Sequence, residues 1–167
     1  MNNSRSINVF LVEDNLLYRR ALKEHLEGNI NNINILTFNN GEEMMKNINQ
    51  NPDVVVLDYM LRTSESNAGN GMSILKKVVG KKPYIPVIML SEQKNKSVIT
   101  QLVDEGAYDY VAKFENSFEK ITDHIRQIES QLYEQRKEEK SLWNAMLWTI
   151  TAAAFISILL YEISIHK

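Results

Sequence analysis

Asp53-Val54-Val55-Val56-Leu57-Asp58 is the stretch whose reading decides the fold. Four consecutive apolar residues stand between two acids, with no polar–apolar alternation. A half-exposed strand alternates, so an unbroken apolar run reads as a strand buried on both faces, as in the middle of a parallel sheet. Its carboxyl end delivers Asp58. Open α/β sheets bind their ligands outside the carboxyl ends of the strands, so an acid there is a candidate site residue.

Working outward, the preceding sequence supplies two strand–helix units. Ile7–Val12 is a short apolar run read as a strand, and it stops at Glu13-Asp14-Asn15. Asn15 is a helix cap for a stripe containing Leu16, Leu17, Ala21, Leu22 and Leu26, and Gly28 ends that helix. Ile33–Phe38 is a second, less buried strand, followed by the turn Asn39-Asn40-Gly41 and a short helix carrying Met44, Met45 and Ile48.

Beyond Asp58, the polar run Thr63–Asn70 is a loop, and Gly71 opens a helix with Met72, Ile74, Leu75, Val78 and Val79. Tyr84–Leu90 is a fourth strand, delivering Ser91. A helix follows over roughly Lys94–Glu105, stopped by Gly106. Tyr108–Ala112 is a fifth strand, delivering Lys113, and a long helical pattern starts near Asn116 or Ser117. Five strand–helix alternations predict a parallel sheet covered on both faces, with right-handed crossovers.

Composition narrows the chemistry. Apolar residues make up 44% of the 167, enough for a real core. The absence of cysteine removes disulfides, thiolate catalysis and thiolate metal sites together. The three histidines, His25, His124 and His166, lack metal-ligand spacing. A formal net charge of −2 does not suggest nucleic acid as a partner. Ile7–Val12 is too short for a secretory signal and runs straight into acids.

All strands of a parallel sheet end on the same side, so Glu13, Asp14, Asp58, Ser91 and Lys113 can share one crevice. Three carboxylates in close quarters repel unless a cation sits among them. A hard divalent ion such as Mg2+ suits oxygen ligands, typically one or two carboxylates with water and a phosphoryl oxygen. Lys113 can pair with Asp58 at rest and with a phosphoryl group later, and Ser91 can donate to a phosphoryl oxygen. The set suits phosphoryl transfer onto a carboxylate.

On these residues the chain, over about 7–130, resembles the response-regulator receiver domain of two-component signalling. The resemblance implies a flavodoxin-like (βα)5 doubly wound sheet in the order 2-1-3-4-5. It implies that Asp58 accepts phosphate from a sensor histidine kinase or a histidine phosphotransfer protein. It also implies that Mg2+ is held by Asp14, Asp58, the backbone carbonyl of Met60 and, through water, Glu13. Ser91 and Tyr110 match the family's switch pair, in which the aromatic ring follows the hydroxyl inward. Three departures stand out: Phe114 replaces the usual proline after the lysine, Leu61 replaces the usual proline after Met60, and the loop from Asp58 to Gly71 is longer. A cis bond before a non-proline residue costs about 3–4 kcal/mol, which leaves a cis linkage or an altered loop open at Lys113–Phe114.

Phe118, Ile121, Ile125, Ile128 and Leu132 recur at helical spacing and fit a last helix packed on the sheet. The organisation expected is a receiver domain at 1–130, a charged helical linker at 131–141, a membrane span at 142–161 and a short tail at 162–167. Leu142–Tyr161 holds no charged residue, and as a helix it extends roughly 30 Å, the thickness of a hydrocarbon core. Trp143 and Trp148 lie near one end and Tyr161 at the other, as in interfacial belts. Arg136, Lys137 and Lys140 flank the receiver side, consistent with that side being cytoplasmic. The competing reading is an apolar helix buried against a partner protein.

The functional expectation is a phosphoacceptor module held at the cytoplasmic membrane by one C-terminal helix. It would act through a phosphorylation-dependent surface on a membrane protein target, or through a homodimer formed by the tail. No DNA-binding output and no enzyme activity beyond Mg-dependent phosphoryl acceptance and self-dephosphorylation are expected. Two alternatives stand beside it. A phosphohydrolase with an aspartyl-phosphate intermediate would need a general-acid carboxylate next to Asp58, which Tyr59-Met60-Leu61 does not supply. A membrane-tethered adaptor would use the same fold without phosphorylation.

Overall fold

The computed structural model describes residues 6–61, 71–92, 95–114 and 116–165, with no account of the side chains of 159, 160 and 162. The expected loop Thr63–Asn70 lies outside these residues, as does Lys94. Five strands, β1 (Ile7–Val12), β2 (Ile33–Phe38), β3 (Val54–Asp58), β4 (Val87–Ser91) and β5 (Asp109–Ala112), alternate with helices. The helices are α1 (Leu16–Asn29), α2 (Gly41–Asn47), α3 (Gly71–Lys81), α4 (Lys96–Asp104) and α5 (Ser117–Ile165). A single 3-10 turn, Ile48–Gln50, follows α2. The strands form one parallel sheet in the order β2-β1-β3-β4-β5, the expected flavodoxin-like arrangement.

The apolar run that opened the sequence reading is the central strand, buried at every position. Strand residues alternate between faces. Phe10, Val12, Val55, Leu57, Val87 and Met89 share one face with Met44, Ile48, Ile74, Leu75, Val78 and Leu102 of the surrounding helical segments. Val9, Leu11, Val54, Val56, Ile88 and Leu90 point the other way and are equally buried, as are Leu22 and Leu26 of α1 and Ile121, Ile125 and Ile128 of α5. Two apolar faces, each under helices, are why β3 and β4 contain no alternation.

Element ends have local causes. Asn15 caps α1, its side-chain oxygen accepting from the N–H groups of Leu17 and Tyr18 at 3.0 and 3.2 Å, an arrangement worth about 1 kcal/mol. β4 begins at Val87 rather than Tyr84, because Pro86 has no N–H to give the ladder and contributes only its carbonyl, 3.0 Å from the Val55 nitrogen. No cis peptide bond occurs among the described residues. Lys113–Phe114 is therefore trans, and the altered-loop alternative holds: the Phe114 N–H turns back to the Ala112 carbonyl at 2.8 Å.

The chain forms two units, Met1–Glu129 and Ser130–Lys167. The described residues of the second, to Ile165, are helical. By length and composition α5 is apolar enough to cross a membrane, and none of its apolar window is buried. Over residues 142–158 its large apolar side chains, among them Leu142, Trp143, Trp148, Phe155 and Ile156, are exposed.

Candidate phosphoacceptor site

Backbone bonds that continue the sheet ladder beyond the strands position the site. The Glu13 N–H donates to the Phe38 carbonyl at 3.1 Å, Tyr59 N–H to Leu90 at 2.8 Å, and Lys113 N–H to Ser91 at 2.9 Å. Residues immediately past β1, β3 and β5 are thus fixed as firmly as the strands themselves. Asp58 pairs with Leu90 and Ser91 with Ala112 in the register, so the acceptor candidate, hydroxyl and lysine sit on three adjacent strands.

Glu13, Asp14 and Asp58 each offer a carboxylate oxygen, and these oxygens lie within 4.8 Å of one another. Glu13 and Asp58 are buried, whereas Asp14 is half-buried. The Lys113 ammonium bridges the two buried acids, 2.6 Å from Glu13 Oε2 and 2.9 Å from Asp58 Oδ2. Each acid uses its other oxygen on the backbone: Asn15 N–H donates to Glu13 Oε1 at 3.1 Å, and Met60 N–H to Asp58 Oδ1 at 3.2 Å. Arg19 donates to the Glu13 carbonyl. The acids are therefore held in place rather than free to swing.

The electrostatics show what the cluster lacks. Burial raises the Glu13 pKa above the ordinary carboxylate value, the Asp58 charge pushes the same way, and Lys113 and the Asn15 N–H offset this only in part. Burial works against the Lys113 charge, yet its bonds to Glu13 and Asp58 outweigh it and hold the ammonium above its ordinary value. The lysine meets two anions, and Glu13 is only partly compensated. One ammonium among three carboxylates leaves the site short of positive charge, and the donor set, all oxygen, suits a hard divalent ion. The residues fit Mg2+.

A cleft of about 560 Å³ opens over the cluster, room for a hydrated cation together with a phosphoryl group. Its lining includes Glu13, Asp14, Asp58, Met60 and Lys113 from the sequence expectation. Ser91 is buried, and its carbonyl accepts from the Tyr110 hydroxyl at 3.5 Å as well as from Lys113 N–H. Tyr110 is half-buried against the core, so its ring is directed toward Ser91 in this state. Burial raises the Tyr110 pKa, and a bond with the Ser91 side chain partly opposes that.

Sequence reading missed Tyr18 and Glu92, which also line the cleft. Tyr18 lies in the first turn of α1, just past the Asn15 cap that follows the two acids. It missed the closeness of Gly71 as well. A Cβ on Gly71 would lie 2.4 Å from the Asp58 carbonyl oxygen and 2.6 Å from Tyr59 Cα, both backbone atoms that cannot rotate away. Gly71→Ala is expected to displace the Asp58–Tyr59 backbone and to lower stability by about 1–3 kcal/mol, read by hydrogen exchange of the β3 amides. Unchanged protection would mean that α3 shifts freely.

Known proteins place this geometry. Residues 9–126 match the family profile of the response regulator receiver domain. The chain is 34% identical over 116 residues to a protein-glutamate methylesterase/protein-glutamine glutaminase of Clostridium acetobutylicum, covering 68% of this chain and 32% of that protein. It is 29% identical over 108 residues to the transcriptional regulatory protein CssR of Bacillus subtilis, covering 65% of this chain and 45% of that protein. The chain thus spans less than half the length of these curated relatives. Its fold is that of the Francisella response regulator 1452 receiver domain, with a TM-score of 0.65, 23% identity, and coverage of 76% of this chain and 99% of the other. Receiver domains bind Mg2+ at an acidic pocket, take phosphoryl groups from histidine kinases or phosphotransfer proteins, and are generally not enzymes. With the profile match, the sheet order and the acid–lysine cluster in agreement, the chain belongs to the response regulator receiver family.

Proposed function

We propose that the chain is a membrane-held phosphoacceptor in which Asp58 takes a phosphoryl group from a phosphohistidine of a sensor kinase or phosphotransfer protein. The observation that carries the reading is the buried Asp58 carboxylate, tied to Lys113 and grouped with Glu13 and Asp14 under an open cleft. An Asp58 oxygen attacks phosphorus, a P–O bond forms as the P–N bond breaks, and the electron pair leaves with the imidazole, which takes up a proton. Asp14, Asp58, the Met60 carbonyl and, through water, Glu13 would hold Mg2+. When bound, the ion supplies positive charge to the phosphoryl oxygens. Lys113 moves its charge from the carboxylates toward the phosphoryl group, and Ser91 donates to it. In self-dephosphorylation water attacks phosphorus, the bond from Asp58 to phosphorus breaks with its electron pair returning to the carboxylate, and inorganic phosphate leaves.

The output is a change of surface. As the Ser91 hydroxyl is drawn to the phosphoryl group, the Tyr110 ring, whose hydroxyl already donates to the Ser91 backbone carbonyl, follows it. Because the Tyr110 ring is directed inward beforehand, the switch is a tightening around α4 and β5 rather than a full swing. Adding Mg2+ and beryllofluoride to the full chain in mild detergent should shift the amide signals of Ser91, Tyr110 and the residues of α4. Unchanged signals would favour an adaptor that never uses the site.

The chain reads as a receiver at 1–130, a charged helical linker at 131–141, a single membrane span at 142–161 and a tail at 162–167, with the receiver in the cytoplasm. Three hydroxyl side chains of the span favour this. Thr149, Thr151 and Ser157 donate their hydroxyls to the carbonyls of Met146, Trp148 and Ala153 at 2.7–2.9 Å. No bond outside the helix is needed for them, as a hydrocarbon surrounding demands. An all-round apolar surface must be covered, and a bilayer covers it without a partner. The target is a membrane protein or a second copy joined through the tail. The full chain should pellet with membranes after a carbonate wash; recovery in the supernatant would reject the span.

A further inference from the structure

We infer that Tyr18 is a positioning residue for Lys113: its ring face fixes the ammonium over the phosphoacceptor and sets the rate of phosphoryl chemistry there. This rests on the reading of Asp58 as acceptor. The Lys113 ammonium lies over the Tyr18 ring, 4.8 Å from its centroid. Two of its sides face Glu13 and Asp58, and the ring takes a third. A cation over an aromatic face is attracted by the ring quadrupole, more strongly where water is excluded. The Lys113 side chain is 9% exposed, so the contact is of the stronger kind.

The ring is itself braced. Phe118 meets it edge to face at 5.2 Å and 82°, and the Tyr18 hydroxyl lies 3.4 Å from Ser117 Oγ. Both partners belong to the start of α5, so Tyr18 joins the first turn of α1 to the first turn of α5 across the mouth of the site. It also lines the cleft that holds Asp58. In transfer, the P–O bond to Asp58 forms as the donor's bond to phosphorus breaks. In hydrolysis, water adds to phosphorus and the Asp58–phosphorus bond breaks, freeing the carboxylate and inorganic phosphate. Lys113 faces the phosphoryl oxygens in both steps. A lysine no longer held by the ring is less well placed in both, so removing the ring slows both.

The test compares Tyr18→Leu with Tyr18→Phe in the full chain in detergent, using acetyl phosphate and Mg2+. The leucine variant should be phosphorylated about 3- to 30-fold more slowly and should lose its phosphoryl group more slowly by a similar factor. The phenylalanine variant, which keeps the ring and its Phe118 contact and drops only the hydroxyl brace, should lie nearer to the wild type than to leucine. In the unphosphorylated protein, the Lys113 ε-methylene protons should be shifted upfield by the ring in the wild type and the phenylalanine variant, and not in the leucine variant. Leucine rates equal to wild type would overturn the inference, and so would a phenylalanine variant as slow as leucine. If the wild type takes no phosphoryl group, the reading of Asp58 fails, and the methylene shift still decides whether the ring holds the lysine. Should leucine prevent folding, Tyr18→Met replaces it in each comparison.

Discussion

Asp58→Asn should take no phosphoryl group from acetyl phosphate, with labelling reduced on the order of a thousandfold or more, as expected when a nucleophile is removed. The substitution keeps the shape of the side chain. Its single oxygen can keep one of the two contacts that the separate Asp58 oxygens make, to Lys113 at 2.9 Å and from the Met60 N–H at 3.2 Å, and the amide nitrogen takes the place of the other oxygen. What disappears is the anionic oxygen that attacks phosphorus. Against the lost acceptor stands a gain: the change removes one of three crowded carboxylates and relieves repulsion in metal-free buffer. The variant should be at least as stable as the wild type without Mg2+ and should bind Mg2+ more weakly. Residual labelling at the wild-type rate would place the acceptor elsewhere.

Lys113→Met should have the opposite signature. Methionine fills the space of the lysine stem but leaves Glu13 and Asp58, both buried, without their shared cation. Removing one partner of a buried ion pair costs about 3–5 kcal/mol, because the remaining charge is uncompensated. Glu13, already pushed toward its protonated form by burial and by Asp58, moderates the loss by taking up a proton. Hydrogen exchange of the β3 amides in the full chain should therefore speed up in metal-free buffer, with Mg2+ restoring part of the protection. A metal at a hundred times its dissociation constant stabilises the folded state by about 2.7 kcal/mol. Unchanged protection in metal-free buffer would show that the cluster is not electrostatically coupled to folding.

These two substitutions act on residues that were legible because strand ends in a parallel sheet converge. Val54–Leu57 and Val87–Leu90 lack alternation, so both had to be central, and the residues after them had to face the same crevice. Glu13, Asp14 and Lys113 follow from the same geometry, and the structure brings all of them to one cleft with Asp58. Tyr18 was harder to see. It sits on a helix rather than at a strand end, and its approach to Lys113 depends on how α1 lies against the segment after β5, a tertiary fact that helical spacing alone does not carry. Gly71 was read as a helix opener, whereas its lack of a Cβ matters for contact with the Asp58 backbone. The trans bond at Lys113–Phe114 settled a choice that residue types had left open.

The central claim is that Asp58 is the acceptor, and the most direct measurement is to trap the phosphoryl group and map it. The full chain in detergent is incubated with acetyl phosphate and Mg2+, reduced with borohydride, and digested for mass spectrometry. Borohydride cleaves an acyl phosphate to an alcohol, so it marks the acceptor as homoserine. The account predicts homoserine at position 58, absent when Mg2+ is chelated and absent from Asp58→Asn. Homoserine at another acid, or an unmarked chain under the same conditions, would contradict it.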